Sequence, residues 1–207
     1  FAAYLPTTIS SIVMLIITYK LHEELIGKKF AIASPLILST TFLWFDYSHL
    51  ATQDLIYSCL VTFGIFSIVK TNSKKELVYI SLFGIWIGLA FMMKTFLVAI
   101  PIISLLPYLI KKKFIFTSKY FWLGLIIGFT PFILWTTSIN TFLDKNIIFH
   151  LLDKFNNLSI ENTFTNPFYY YLWNIPVTFL PWSIFSIIGL VHGLKSKNSQ
   201  GFILFYF

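Results

Sequence analysis

The chain contains no arginine: its 15 basic residues are all lysine. Paired recognition of bases and phosphates leans on the guanidinium fork, so the net charge of +7 does not describe a nucleic-acid surface, and no nucleic-acid partner is expected. Cysteine is almost missing as well. The single Cys59 excludes an intramolecular disulfide and lies in an apolar run as a small buried hydrophobe. Charge of either sign is scarce. Only 11% of residues are charged, less than half the roughly 25% of an average soluble domain, which excludes an ordinary cytosolic domain, a coiled coil and intrinsic disorder. No GxGxxG, GxxxxGK[ST], HExxH or CxxC run occurs either, so dinucleotide, P-loop, zincin and dithiol chemistry have no signature here.

What fills the chain is apolar and aromatic: 57% hydrophobic residues and 24 phenylalanines. That composition belongs in a bilayer. Apolar runs occupy 1–19, 30–45, 55–69, 77–93, 95–110, 120–139 and 169–191, and another begins at 201. Most hold 15–20 residues, which as helices rise roughly 23–30 Å. They lack the strict alternation of outer-membrane strands. The expectation is an all-α polytopic membrane protein with seven to eight transmembrane helices. Position 1 is Phe and the chain stops inside an apolar run, so it reads as a piece of a longer protein.

The connectors sort by lysine. Segments 20–29, 70–76, 111–119 and 192–200 carry twelve of the 15 lysines, and the alternate connectors carry three. The positive-inside rule makes the lysine-rich side cytoplasmic. Chemistry is then expected on the opposite side, in segment 46–54 (DYSHLATQD) and in the long connector 140–168. Within the latter, Leu143, Ile147, Leu151, Phe155 and Leu158 recur at helical spacing, the pattern of an amphipathic outer helix over 142–158.

Asp54 is the most informative residue. It opens a span at its outer end, where the helix dipole favours a carboxylate, with Thr52 as the expected N-cap and His49 close upstream. Metal binding, orientation of a leaving group and holding of a nucleophile all fit that position, and spacing does not choose among them. A divalent metal is compatible with these residues, and no cofactor is required by them. Lys94 interrupts apolar sequence on the lysine-poor side, where snorkelling and phosphate binding both account for it. His150 and Asp153 share a helix face at i and i+3, which suits metal ligation, an acid-oriented imidazole or a solvated polar face. Gly84 and Gly88 form a GxxxG, a mark of close helix packing.

Three stretches then resemble one family in register: His49, Ala51 and Asp54 as "R/H-x-A-x-x-D"; Gly88, Ala90 and Lys94 as "G-x-A-x-x-x-K-G-P"; and Pro167, Tyr170, Tyr171, Leu172, Pro181 and Trp182 as "G-P-x-x-Y-Y-L … P-W". The resemblance is to GT-C-type lipid-dependent glycosyltransferases of the protein mannosyltransferase and aminoarabinose transferase group, similar to bacterial glycosyltransferase family 39. It departs after the lysine, where Thr95-Phe96 replace Gly-Pro. The resemblance implies one transmembrane catalytic domain in the bacterial plasma membrane. It also implies a polyprenyl-phosphate sugar donor, and a protein, lipid or glycan acceptor on the non-cytoplasmic face. It places the principal catalytic acid before Phe1 and makes Asp54 a supporting acid, with His49, Lys94, His150, Asp153 and Tyr170 on the substrate side. The competing reading is a polytopic transporter or lipid-linked sugar flippase, which would concentrate charges and broken helices near the bilayer midplane.

Overall fold

The computed structural model describes residues 4–72, 75–143, 149, 152–153 and 168–195, and among them all regular structure is helical. Helix α1 is Leu5–Leu25, opened by Pro6 in its first turn, where the missing N–H costs nothing. Short helices α2 (Ala33–Ser39) and α3 (Phe42–Ser48) follow, then α4 (Gln53–Val69), α5 (Glu76–Lys94), α6 (Ala99–Lys111), a single turn α7 (Phe114–Thr117) and α8 (Lys119–Leu143). Helices α9 (Phe168–Thr178) and α10 (Ser183–Lys195) complete the described chain.

By length and hydropathy three helical runs suit a bilayer: Leu5–Leu25, Glu76–Ile110 and Lys119–Thr141. A fourth is added if the bent pair α2–α3 is one span. The described residues therefore do not confirm the expected seven to eight spans. The reasons are local. Run 30–45 breaks at Thr40–Thr41 by 65°, and run 169–191 breaks between Thr178 and Ser183. Helix α4 has only 17 residues. The proposed outer helix over 142–158 lies largely outside the described residues; Phe149, Leu152 and Asp153 are helical and exposed.

The 35-residue run Glu76–Ile110 is not one rod. It folds at the tight 3-10 turn Thr95–Val98 between α5 and α6. Tyr57, near the start of α4, donates its hydroxyl to the Leu97 carbonyl (3.1 Å), and Lys112, just past α6, donates to Thr71 Oγ1 (2.9 Å) just past α4. Helix α6 thus returns alongside α4, and α5 runs antiparallel to both.

The tightest packing joins α5 to α8. Gly84 and Gly88 of α5 meet Gly124 and Gly128 of α8 so closely that a methyl group on any of the four would overlap the opposite backbone. Small residues allow this approach, and the sequence's GxxxG meets a second one. Beside them Trp86 is fully buried, stacks on Phe83 (5.3 Å between centroids), and lies over Gly64. Cys59 is buried, as its setting predicts. Outward, α1 exposes Ile9, Ile12 and Ile16, and α8 exposes Ile126, Ile133 and Leu134. An outer surface of that kind suits a lipid environment.

The connectors after α1, α4 and α6 gather at one end. Lys70 pairs with Glu24, Lys20 with Glu23 (3.1 Å), and Lys112 stacks on Tyr108 (5.0 Å). Partial burial lowers the Lys112 pKa, against an opposing pull from Glu76.

Candidate functional site

The opposite end of α4 carries the site. Thr52 takes the extended backbone of an N-cap residue, but its hydroxyl makes no capping bond. Its Oγ1 is instead buried without a hydrogen-bond partner, which corrects the expectation of a Thr52 cap. Asp54 lies in the first turn of α4, at the positive end of the helix dipole. Lys94 is the last residue of α5, at the negative end of its own. Because α4 and α5 are antiparallel, these two ends are neighbours. Each charge therefore meets a favourable dipole as well as its partner.

Lys94 Nζ lies 2.5 Å from Asp54 Oδ1. The lysine side chain is 19% exposed and the aspartate 46%, so the pair sits at a mouth and not in a sealed core. The lysine's aliphatic stem is covered while its ammonium reaches the carboxylate. Next in the chain, Thr95 adopts φ 49°, alone among the described non-glycine residues in having positive φ. A β-branched residue is strained there. This is the position where the resembled family has glycine, which takes that conformation without strain.

Asp54 opens into a cavity of about 480 Å³, within the size range of small-molecule sites. Its walls come from four helices and from the α9–α10 break: Trp44 and Tyr47 of α3, Leu55 and Ser58 of α4, Leu38 of α2, Met14 of α1, and Phe179. Trp44 and Tyr47 are three residues apart and share a helix face. A second cavity of about 510 Å³ shares Met14, Leu38 and Ser58 with the first and continues between α1, α4 and α6 past Tyr57, Val61 and Pro101.

Two broken helices shape the first cavity. At the α2–α3 break the Thr40 and Thr41 hydroxyls bond back to the Leu36 and Ile37 carbonyls, a habit that bends helices. The N–H of Phe42 goes to the Leu180 carbonyl (3.2 Å), and the Trp182 indole N–H goes to Thr40 Oγ1 (2.8 Å). Backbone opened within a membrane must find such protein partners. Here each break supplies them to the other.

The other expected site residues are placed differently. His49 caps the end of α3 with Nδ1 at 2.7 Å from the Phe45 carbonyl and 3.1 Å from Ser48 Oγ. A carbonyl only accepts, so Nδ1 carries the hydrogen. The ring packs on Phe45 (4.7 Å) and makes no contact with Asp54. Asp153 and Tyr170 are exposed, and His150 lies outside the described residues. The structure thus joins Asp54 to Lys94 and bonds His49 to its own helix. Sequence reasoning missed Trp44, Tyr47, Tyr57 and Phe179. Tyr57 had a signal, lying three residues after Asp54. Among the described residues, no group of three or more His, Cys, Asp or Glu is placed to hold a metal ion.

No curated protein and no solved structure matches the chain. A family model does, that of dolichyl-phosphate-mannose-protein mannosyltransferases, over residues 1–136. The match runs from α1 into α8 and takes in Asp54, Lys94 and the cavity walls of α1 to α4. It covers more than half of an integral membrane protein in which Asp54, paired with Lys94, lines a cavity with aromatic walls. The chain belongs to the dolichyl-phosphate-mannose-protein mannosyltransferase family, membrane glycosyltransferases of the GT-C type.

Proposed function

We propose that the protein transfers a hexosyl or pentosyl unit from a polyprenyl-phosphate donor to a protein, lipid or glycan acceptor. The reaction takes place on the non-cytoplasmic face of a bacterial plasma membrane. The observation carrying this reading is the Asp54–Lys94 pair (2.5 Å) at the mouth of an aromatic-walled cavity, at the far end of α4 from the lysine-rich connectors.

An ammonium has three donors. With one held by Asp54, two remain for oxygens of a lipid-linked phosphate. The acceptor oxygen attacks the anomeric carbon, and the bond from that carbon to the phosphate oxygen breaks. The phosphate leaves with the electron pair and the acceptor's proton passes to a carboxylate. Lys94 stabilises the charge growing on the leaving phosphate. Asp54 aims Lys94 and is the supporting acid, because its carboxylate is already engaged; the principal acid is a second carboxylate. Trp44 and Tyr47 offer the donor's sugar apolar faces. His49, His150, Asp153 and Tyr170 belong to this proposal as substrate-side groups on the outer segments.

The test is transfer from a labelled polyprenyl-phosphate sugar by the intact protein in membranes. Lys94→Ala is expected to lower kcat by about a hundred- to a thousandfold, the usual cost of removing one donor to developing charge. Full activity in that variant removes the phosphate role. The meeting of two broken helices is the one observation favouring a transporter or flippase. Translocation of a lipid-linked sugar without transfer would establish that alternative.

A further inference from the structure

The start of α4 touches the α5–α6 turn at two points. Asp54 holds Lys94, and Tyr57 donates its hydroxyl to the Leu97 carbonyl at 3.1 Å. Both contacts step by three residues, Asp54 to Tyr57 and Lys94 to Leu97, so one face of α4 addresses the whole turn. The Leu97 carbonyl is available for a sequence-level reason. In a helix it would accept the N–H four residues on, but that residue is Pro101, which has none. The Ala99 N–H approaches that carbonyl from the turn. Between the two contact points lies Thr95, at φ 49°, a strained conformation that persists only where the surroundings hold it.

From this geometry we infer that Tyr57 is a positioning residue. Its hydroxyl supplies the donor that Pro101 cannot, fixes the Thr95–Val98 turn, and so keeps the Lys94 ammonium on Asp54. The inference rests on the reading of Lys94 as the phosphate-binding cation, and extends that reading to the residue that aims it. Tyr57 is partly buried and also lines the second cavity, so a ligand entering there would meet the same ring.

The test uses the intact protein in native membranes. Amine reactivity is read residue by residue, by isotope-coded acetylation and mass spectrometry, alongside transfer activity. Tyr57→Phe keeps the ring and removes the hydroxyl. It is expected to raise acetylation of Lys94 by about two- to tenfold, the range that loss of one ordinary hydrogen bond gives. Acetylation of Lys28 and Lys29, at the other end of the bundle, is expected not to change. Transfer should fall in kcat more than in KM. Pro101→Ala gives Leu97 an in-helix donor, so the double variant Tyr57→Phe/Pro101→Ala is expected to return Lys94 reactivity toward the wild-type value.

Unchanged Lys94 reactivity in Tyr57→Phe, or a double variant as reactive as the single one, overturns the inference. So does a uniform rise at Lys28, Lys29 and Lys94, since general loosening is not positioning. If Lys94 reactivity responds and is rescued while transfer stays at the wild-type rate, the positioning role stands and the phosphate-binding reading of Lys94 falls.

Discussion

The indole N–H of Trp182 donates to Thr40 Oγ1 at 2.8 Å, across 142 positions of sequence. It joins the α9–α10 break to the α2–α3 break, and the same pair of breaks exchanges the Phe42 N–H with the Leu180 carbonyl. Phe179, from this junction, then forms part of the wall beside Asp54. Trp182→Phe keeps the tilted ring contact with Phe185 and deletes the donor. It is expected to destabilise the protein by about 1 kcal/mol, read as a lower Tm in nanodiscs, with transfer activity falling alongside. An unchanged Tm would mean that the junction does not hold the breaks together.

The α5–α8 crossing should tolerate no side chain. Gly88→Leu drives a branched side chain into the Gly128 and Phe129 backbone, and Gly124→Leu drives one into Ser81. Backbone cannot yield as a flexible side chain would, so each is expected to cost about 3 kcal/mol or more and to leave little folded protein in size-exclusion chromatography. Gly189 has open space around it. Gly189→Ala should be neutral or stabilising by up to about 1 kcal/mol from helix propensity.

Thr95→Gly addresses backbone strain. Glycine takes φ 49° freely, whereas a β-branched residue pays about 1–3 kcal/mol there. Glycine's greater unfolded-state entropy returns roughly 0.5–1 kcal/mol of that. The expected net is a stabilisation of about 1 kcal/mol, seen as a higher Tm. A lower Tm would show that Thr95 is not strained.

Which of these features could be read from sequence follows physical lines. Helices α1 and α8 were legible because each is a long uninterrupted apolar run. The fold-back between α5 and α6 was legible in Lys94, a charge where the apolar pattern otherwise continues. The α2–α3 break was not, because Thr40-Thr41 is neither Pro nor Gly, and the groups that satisfy it come from Leu180 and Trp182 far along the chain. Asp54 and Lys94 each stood out singly, through a helix-start position and a topology exception. Their pairing lies 40 residues apart and follows only once α4 and α5 are known to be antiparallel. Thr52 carried the right residue type for a cap, yet its hydroxyl turned inward, and His49 bonded to its own helix.

Charge at the two ends of the bundle should matter unequally. Lys70–Glu24 is solvent-accessible, with side chains 26% and 37% exposed, and exposed pairs contribute about 0–1 kcal/mol. Glu24→Gln is expected to leave both Tm and transfer close to wild type. A loss of transfer comparable with that of Asp54→Asn would mean that the lysine-rich end takes part in the reaction.

In the proposed reaction Asp54 and Lys94 act as one unit. The most direct measurement is a double-mutant cycle on kcat with Asp54→Asn, Lys94→Met and the pair together, using a polyprenyl-phosphate sugar donor. Lys94→Met is expected to cost about a hundred- to a thousandfold, and Asp54→Asn about ten- to a hundredfold through a misplaced ammonium. The double variant should be no worse than Lys94→Met alone, because residues acting as a unit are not additive. Losses that simply multiply, or a Lys94→Met enzyme that transfers at the wild-type rate, would contradict it.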